Sequence, residues 1–543
     1  MIQLAGEQNV LVNRIVIGLF VATTCLWPDV APAQENRLRD TIDREIKSVW
    51  AKEKLVPPER SSDSAFLRRV YVDLVGMIPT YEETTAFLAA ADPQKREKLI
   101  DVLLADSRYA RHLAQVWDVN LLGRNPNGVG HPDNRRAFSQ WLQSQFKNNE
   151  PYDRFVHKLL AAEEEGSQLY YVVYRNSDDL ATTTMRTFLG TQLQCAKCHD
   201  HPYDPWTQRD YYGMAGFFVR TFITEGEKQE NVTRYFVGKR STGEVSFTML
   251  PKDATPGTKG EPVRPKFLGG DELQEPELPK DFKEPKVEPK QAPPKPLFSR
   301  REKVAEWITA KENPYLARAA VNRVWAQFMG RGFVHPVDDF NSENEPSHPA
   351  LLKALESQFI AHQFDLKWLI REIVNSDAYQ AADVGPIKDA LPKYYERARI
   401  RPLSVEELTA SLHVATGLGV ESALKSKPSG DMVKYLGEPV DGQGTFQGSL
   451  TEHLFIHNGD TFRGLCYPRN GNLAESLLKS EADWNAKIER MFLSVLSRTP
   501  TIEERERFVN YLTMDPKDTK LAAQRMEETL WVLVASSEFR FNR

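Results

Sequence analysis

Apolar residues recur at three- and four-residue spacings over most of the chain, which predicts a mainly helical protein. In "REKLIDVLLADSRYARHLAQVWDVNLL" the stripe runs through Leu99, Val102 and Leu103, then Leu113, Val116 and Trp117. Thr80 stands three residues before Glu83, ahead of a periodic run, so a capping box should start a helix there. Another helix should follow Pro151, in "NEPYDRFVHKLLAA". Helical periodicity holds over about 38–225 and returns over about 298–541. In the second block, Ser347 ahead of Pro349 suggests a cap and start for "ALLKALESQF".

Between these blocks the period changes. Residues 226–250 hold two β-rich runs around a glycine-containing turn, which reads as a hairpin. Residues 251–297 carry eleven of the 34 prolines, too many for a helix, so this stretch is a linker or an extended surface strap. The expected architecture is two helical domains joined by a small β-hairpin region and a Pro-rich linker. No repeat of fixed period is visible.

The N-terminal 33 residues break the globular pattern. Arg14 precedes a short apolar run, Ile15 to Trp27, and "APA" precedes Gln34, as in a secretory signal peptide. The run is about thirteen residues long against the ~20 a bilayer span requires, although retention as an anchor stays open. Thr24 ahead of Cys25 departs from a lipidation signal. The mature chain has no other apolar run of spanning length, so it is expected to be exported, periplasmic or at the cell surface, without a membrane span. Seventy basic against 75 acidic residues leave a net charge of −5, which argues against a nucleic-acid partner. Four cysteines in 543 residues exclude a disulfide scaffold.

The chemistry concentrates in Cys195-Ala196-Lys197-Cys198-His199, the C-x-x-C-H spacing of c-type haem attachment. Two sulfurs three residues apart can form thioethers to the two vinyl groups of one porphyrin edge. The adjacent imidazole can then reach iron. Export, which haem c attachment requires, is independently signalled. The residues leave other readings open: a CxxC disulfide or redox dithiol, a zinc site with His199 or His201, or packing without a ligand. His201 and Asp204 follow closely and are candidates to orient the proximal ligand or bind a metal themselves. Met214 is a candidate sixth ligand, as are His112, His131 and His157. Tyr203, Trp206, Tyr211, Tyr212, Phe217 and Phe218 could wall a macrocycle.

Four long stretches carry a resemblance: "FLRRVYVDLVGMIPTYEETTAFLA", "FLGTQLQCAKCHDHPYDPWTQRDYYGMAGFF", "NPYLARAAVNRVWAQFMGRGFVHPVDDFNSENEPSHPALL" and "LIREIVNSDAYQ". They resemble a family abundant in planctomycetes that pairs an N-terminal cytochrome-like domain with a C-terminal domain of unknown function. The resemblance implies export, haem c on Cys195, Cys198 and His199, and a secreted sulfatase-like protein as a partner. In related sequences leucine often stands where this chain has Met214.

The C-terminal half offers less. "VDDFNSENEPSHP" gathers Asp338, Asp339, Asn341, Glu343 and His348, but Asn344 stands where a calcium loop needs glycine, so a solvated loop is expected. Asp441 to Ser449 reads as a flexible glycine-rich turn, and Cys466 has no obvious partner. No G-x-S-x-G elbow or H-E-x-x-H helix supports hydrolysis. The expected function is an electron carrier or redox subunit; whether the chain is also an enzyme stays open, with a non-catalytic role favoured. The alternatives are a non-catalytic surface interaction module, or an accessory protein or enzyme acting with sulfatase-like proteins on polysaccharide.

Overall fold

A computed structural model describes residues 37–124, 132–229, 232–247, 260–384, 391–437, 449–514 and 519–543. The N-terminal segment read as a signal peptide, with Cys25, as well as His131 and the Asp441–Gly448 stretch, lie outside the described residues. The fold is mainly α-helical, with three antiparallel two-stranded sheets among the described residues.

The first block folds as α1 (Leu38–Lys52), α2 (Asp63–Val75), α3 (Tyr81–Ala89), α4 (Lys95–Ala105), α5 (Ser107–Leu122), α6 (Pro132–Lys147) and α7 (Tyr152–Ala161). Then come α8 (Leu169–Val173), α9 (Ser177–Thr184), a π turn (Met185–Leu189), a 3₁₀ turn (Leu193–Lys197) and α10 (Gln208–Ala215). The capping box at α3 forms in both directions: Thr80 accepts from the Glu83 N–H, and the Glu83 side chain accepts from the Thr80 N–H. The stripe on α4 differs from expectation. Val102 is 63 % exposed, and the buried face is Ile100, Leu103 and Leu104.

The β-rich runs do not pair with each other. Strand β2 (Val232–Lys239) pairs upstream with β1 (Thr221–Gln229), which overlaps the end of the stretch read as helical. Strand β3 (Val245–Phe247) pairs with β4 (Glu261–Val263), inside the proline-rich stretch. The rest of that stretch lies against the body as a strap. Glu275 binds Arg220 and Arg300, Glu284 accepts from the Ser241 and Thr242 N–H groups, and Phe267 packs between Phe217 and Trp307.

Helices α11 (Arg300–Thr309), α12 (Leu316–Met329), α13 (Pro349–Ala361) and α14 (Leu366–Val374) follow, then β5 (Arg401–Pro402) and α15 (Val405–Ala415). The start of α13 is shifted from expectation by one residue. His348 is its N-cap residue and makes no side-chain cap, while the Ser347 hydroxyl bonds the His348 Nδ1 at 3.0 Å. The Ser347 N–H is already held by the Phe333 carbonyl, so Ser347 belongs to the preceding loop.

Residues 38–543 form one compact unit. The segments on either side of the strap share a core: α1 packs on α13 and α14, α7 on α11, and α12 on the π turn. Trp117 lies 5.5 Å from Phe155 and 5.6 Å from Tyr152, and Tyr152 continues to Phe359 at 6.3 Å. Two buried arginines on α2 complete the seam. Arg68 donates to the carbonyls of Val495 and Phe539, and Arg69 to those of Tyr379, Ala381 and Arg543. Strand β6 (Phe541–Asn542) pairs with β5, and Asn542 donates to Asp73. No helix among the described residues is long and apolar enough to cross a membrane.

Candidate functional site

The C-x-x-C-H segment occupies the 3₁₀ turn and its exit. Leu193 and Ala196 point inward and are buried, which anchors the turn to the core. Cys195, Cys198 and His199 are all exposed. Both cysteines are free thiols, which leaves the disulfide reading without a bond here. Among the described residues, no three His, Cys, Asp or Glu side chains converge as a metal site, so a closed tetrahedral zinc centre is not formed.

His199 is held in one tautomer. Its Nδ1 lies 2.7 Å from the Asp200 carbonyl, which can only accept, so Nδ1 carries the proton. In the neutral ring the lone pair then resides on Nε2, as an iron ligand requires. The adjoining segment is tied to α10. The Gln208 N–H donates to Asp200 Oδ1, and Gln208 Nε2 and Tyr212 OH both donate to the Lys197 carbonyl. These donors and their exposure fit a haem held at one edge by two thioethers.

His201 and Asp204 serve their own loop. His201 Nδ1 accepts the Asp204 N–H at 3.1 Å, and the His201 N–H donates to the Trp206 carbonyl. The lone pair at Nδ1 is therefore engaged, and the carboxylate of Asp204 lies 3.8 Å away. Met214 is fully buried on α10 and belongs to the core. Of the aromatic residues, Tyr211, Phe217 and Phe218 are core, Trp206 and Tyr212 are half-buried, and Tyr203 is exposed. His112 is buried on α5, its Nε2 3.7 Å from Glu407, and burial pushes its pKa down to about 4. His157 is half-buried on α7.

Sequence reasoning missed the second support of this site. The loop expected to be solvated, Asp338 to Ser342, grips the C-x-x-C-H segment on both flanks. Before the turn, Asp338 is buried, accepts from Gln192 Nε2 at 3.0 Å and pairs with Arg186. The Phe340 N–H donates to the Gly190 carbonyl at 2.9 Å. After the turn, the Ser342 N–H donates to Asp204 Oδ1 at 3.2 Å, and its hydroxyl donates to the Tyr203 carbonyl. Gly190 closes the π turn at φ +66°, and a Cβ there would stand 2.8 Å from the Phe340 ring. No local signal encodes this contact; it joins residues about 140 positions apart.

Two family descriptions match the chain. Residues 41–222 match PSCyt2, a protein of unknown function (DUF1549), and residues 300–438 match PSD1, likewise a protein of unknown function (DUF1553). No curated protein and no solved structure matches. The clamp therefore joins the two matched segments, with the cysteine turn in the first and Asp338 to Ser342 in the second. By these two matches the chain carries a PSCyt2 (DUF1549) domain in its N-terminal part and a PSD1 (DUF1553) domain in its C-terminal part.

Proposed function

We propose that this chain is an exported, c-type cytochrome-like electron carrier or redox subunit of a periplasmic or surface assembly. Cys195 and Cys198 would bind haem c and His199 would be its proximal ligand. The observation that carries the reading is the exposed dithiol turn whose adjacent imidazole is fixed with its lone pair on Nε2. The family description, with its cytochrome-like designation, supports the same reading at a coarser level.

Bound haem would supply one-electron transfer at iron. The chain's own residues do the rest. Cys195 and Cys198, both exposed free thiols, would hold the group through their sulfurs. The Asp200 carbonyl holds the His199 ring in place and leaves Nε2 as the unprotonated nitrogen. The helix α10 side chains hold the Lys197 carbonyl and so the turn. An exposed turn leaves the group accessible to a partner and to water, and water access is one of the protein's levers on potential.

The test is expression with c-type maturation machinery, followed by intact mass and a pyridine haemochrome spectrum. A mass increase of one haem with a c-type spectrum is expected, lost in Cys198→Ala. An unshifted mass with no Soret band removes the reading and leaves a non-catalytic interaction module.

A further inference from the structure

Helix Leu450–Asn458 carries two histidines one turn apart, His453 and His457. Positions i and i+4 lie on the same face of an α-helix. Their ring centroids are 4.2 Å apart with the planes inclined at 45°. His453 is exposed and His457 half-buried. Among the described residues, neither imidazole hydrogen-bonds to another side chain, so their ring nitrogens are not committed elsewhere. Two imidazolium rings this close would repel.

We infer that His453 and His457 form a two-histidine chelate for a borderline divalent transition-metal cation, completed by water. Paired imidazoles at this spacing suit Zn²⁺, Ni²⁺ and Cu²⁺, with Cu²⁺ bound most tightly, and exclude hard cations such as Mg²⁺. The site is separate in sequence and in donors from the cysteine turn, and it does not depend on haem.

The same helix is tied to the structural seam on its other face. Glu452 is buried and accepts from Arg540 Nε at 3.1 Å, while the Arg540 carbonyl accepts the Leu403 N–H at 2.9 Å. A cation that clips the turn between His453 and His457 therefore stiffens the helix that holds Glu452 against Arg540. Metal binding to the folded chain would raise its melting temperature in a concentration-dependent way.

The test is a calorimetric titration of the untagged full chain with NiCl₂ and with ZnCl₂, MgCl₂ serving as the control. It is run in a Cys195→Ser, Cys198→Ser background so that the thiols cannot report. One Ni²⁺ per chain is expected, with a metal-dependent rise in melting temperature. His453→Gln and His457→Gln should each weaken binding by about tenfold or more and abolish that rise. Binding of Ni²⁺ at the parent affinity in both histidine variants overturns the inference, as does the absence of binding in the parent. Since both residues lie on a helix surface, unchanged circular dichroism of the variants separates ligand loss from misfolding.

Discussion

The carbonyl of Asp200 sets the tautomer of His199, and neither its position nor its consequence can be read from a five-residue motif. Spacing alone makes Cys195, Cys198 and His199 legible as a candidate site, because the C-x-x-C-H pattern is local in sequence. The tautomer depends on how the chain turns after His199, and the contrasting state of His201, whose Nδ1 accepts, depends on a loop closing on Trp206. Gly190 shows the same limit. Nothing local requires glycine there, but its left-handed backbone and the ring of Phe340 leave no room for a Cβ. Gly190→Ala should destabilise the protein by at least ~1 kcal/mol, measured by urea unfolding, because strain in a left-handed position adds to displacement of Phe340. A variant as stable as the parent would show that Phe340 is not firmly seated.

Among the elements, those set by adjacent residues were legible and those set by distant partners were not. Thr80 and Glu83 announce α3, and Thr80→Ala should cost about 0.5–2 kcal/mol, read from the denaturation midpoint. The β-rich runs were recognisable, but propensity does not say which run pairs with which, and β2 found a partner upstream. The Asp338 to Ser342 loop is the larger omission, since its acidic and polar residues look equally suited to water. Its role is testable by hydrogen exchange. Asp338→Ala removes the acceptor of Gln192 and the partner of Arg186, so amides of residues 193–204 should exchange faster while distant helices stay protected. Uniform loss of protection would mean global destabilisation instead. If the proposed haem is present, the same variant should also shift its reduction potential.

Across the whole molecule, the two halves are held by charges that no sequence pattern links. Arg401 donates to both oxygens of Glu407 and to Asp73, which also accepts from Tyr379 and Asn542. Burial alone would raise the pKa of Glu407, but Arg401 and the Ser404 N–H outweigh it and hold it at about 2. Burial is the larger influence on Asp73 and raises its pKa, since it shares Arg401 with Glu407. Arg401→Met leaves two buried carboxylates unpaired and should cost about 3–5 kcal/mol. The sign of the pH dependence follows from the depressed pKa of Glu407. Its stabilisation is complete above the unfolded value of 4.5 and is lost as pH falls towards about 2. Glu407→Gln should flatten stability between pH 4.5 and 2, measured by thermal unfolding across that range. Because the segments share one core, unfolding should be a single transition by fluorescence and circular dichroism. Two separated transitions would show that the halves are independent.

The buried arginines of α2 also set a timetable for the ribosome. Arg68 must wait for the carbonyl of Phe539, 471 residues later, before its guanidinium is satisfied. Vectorial synthesis therefore delivers an early helix whose buried arginines lack several of their native partners until the C-terminal segment follows. The seam of α2 is therefore completed only after the last residues of the chain have been made.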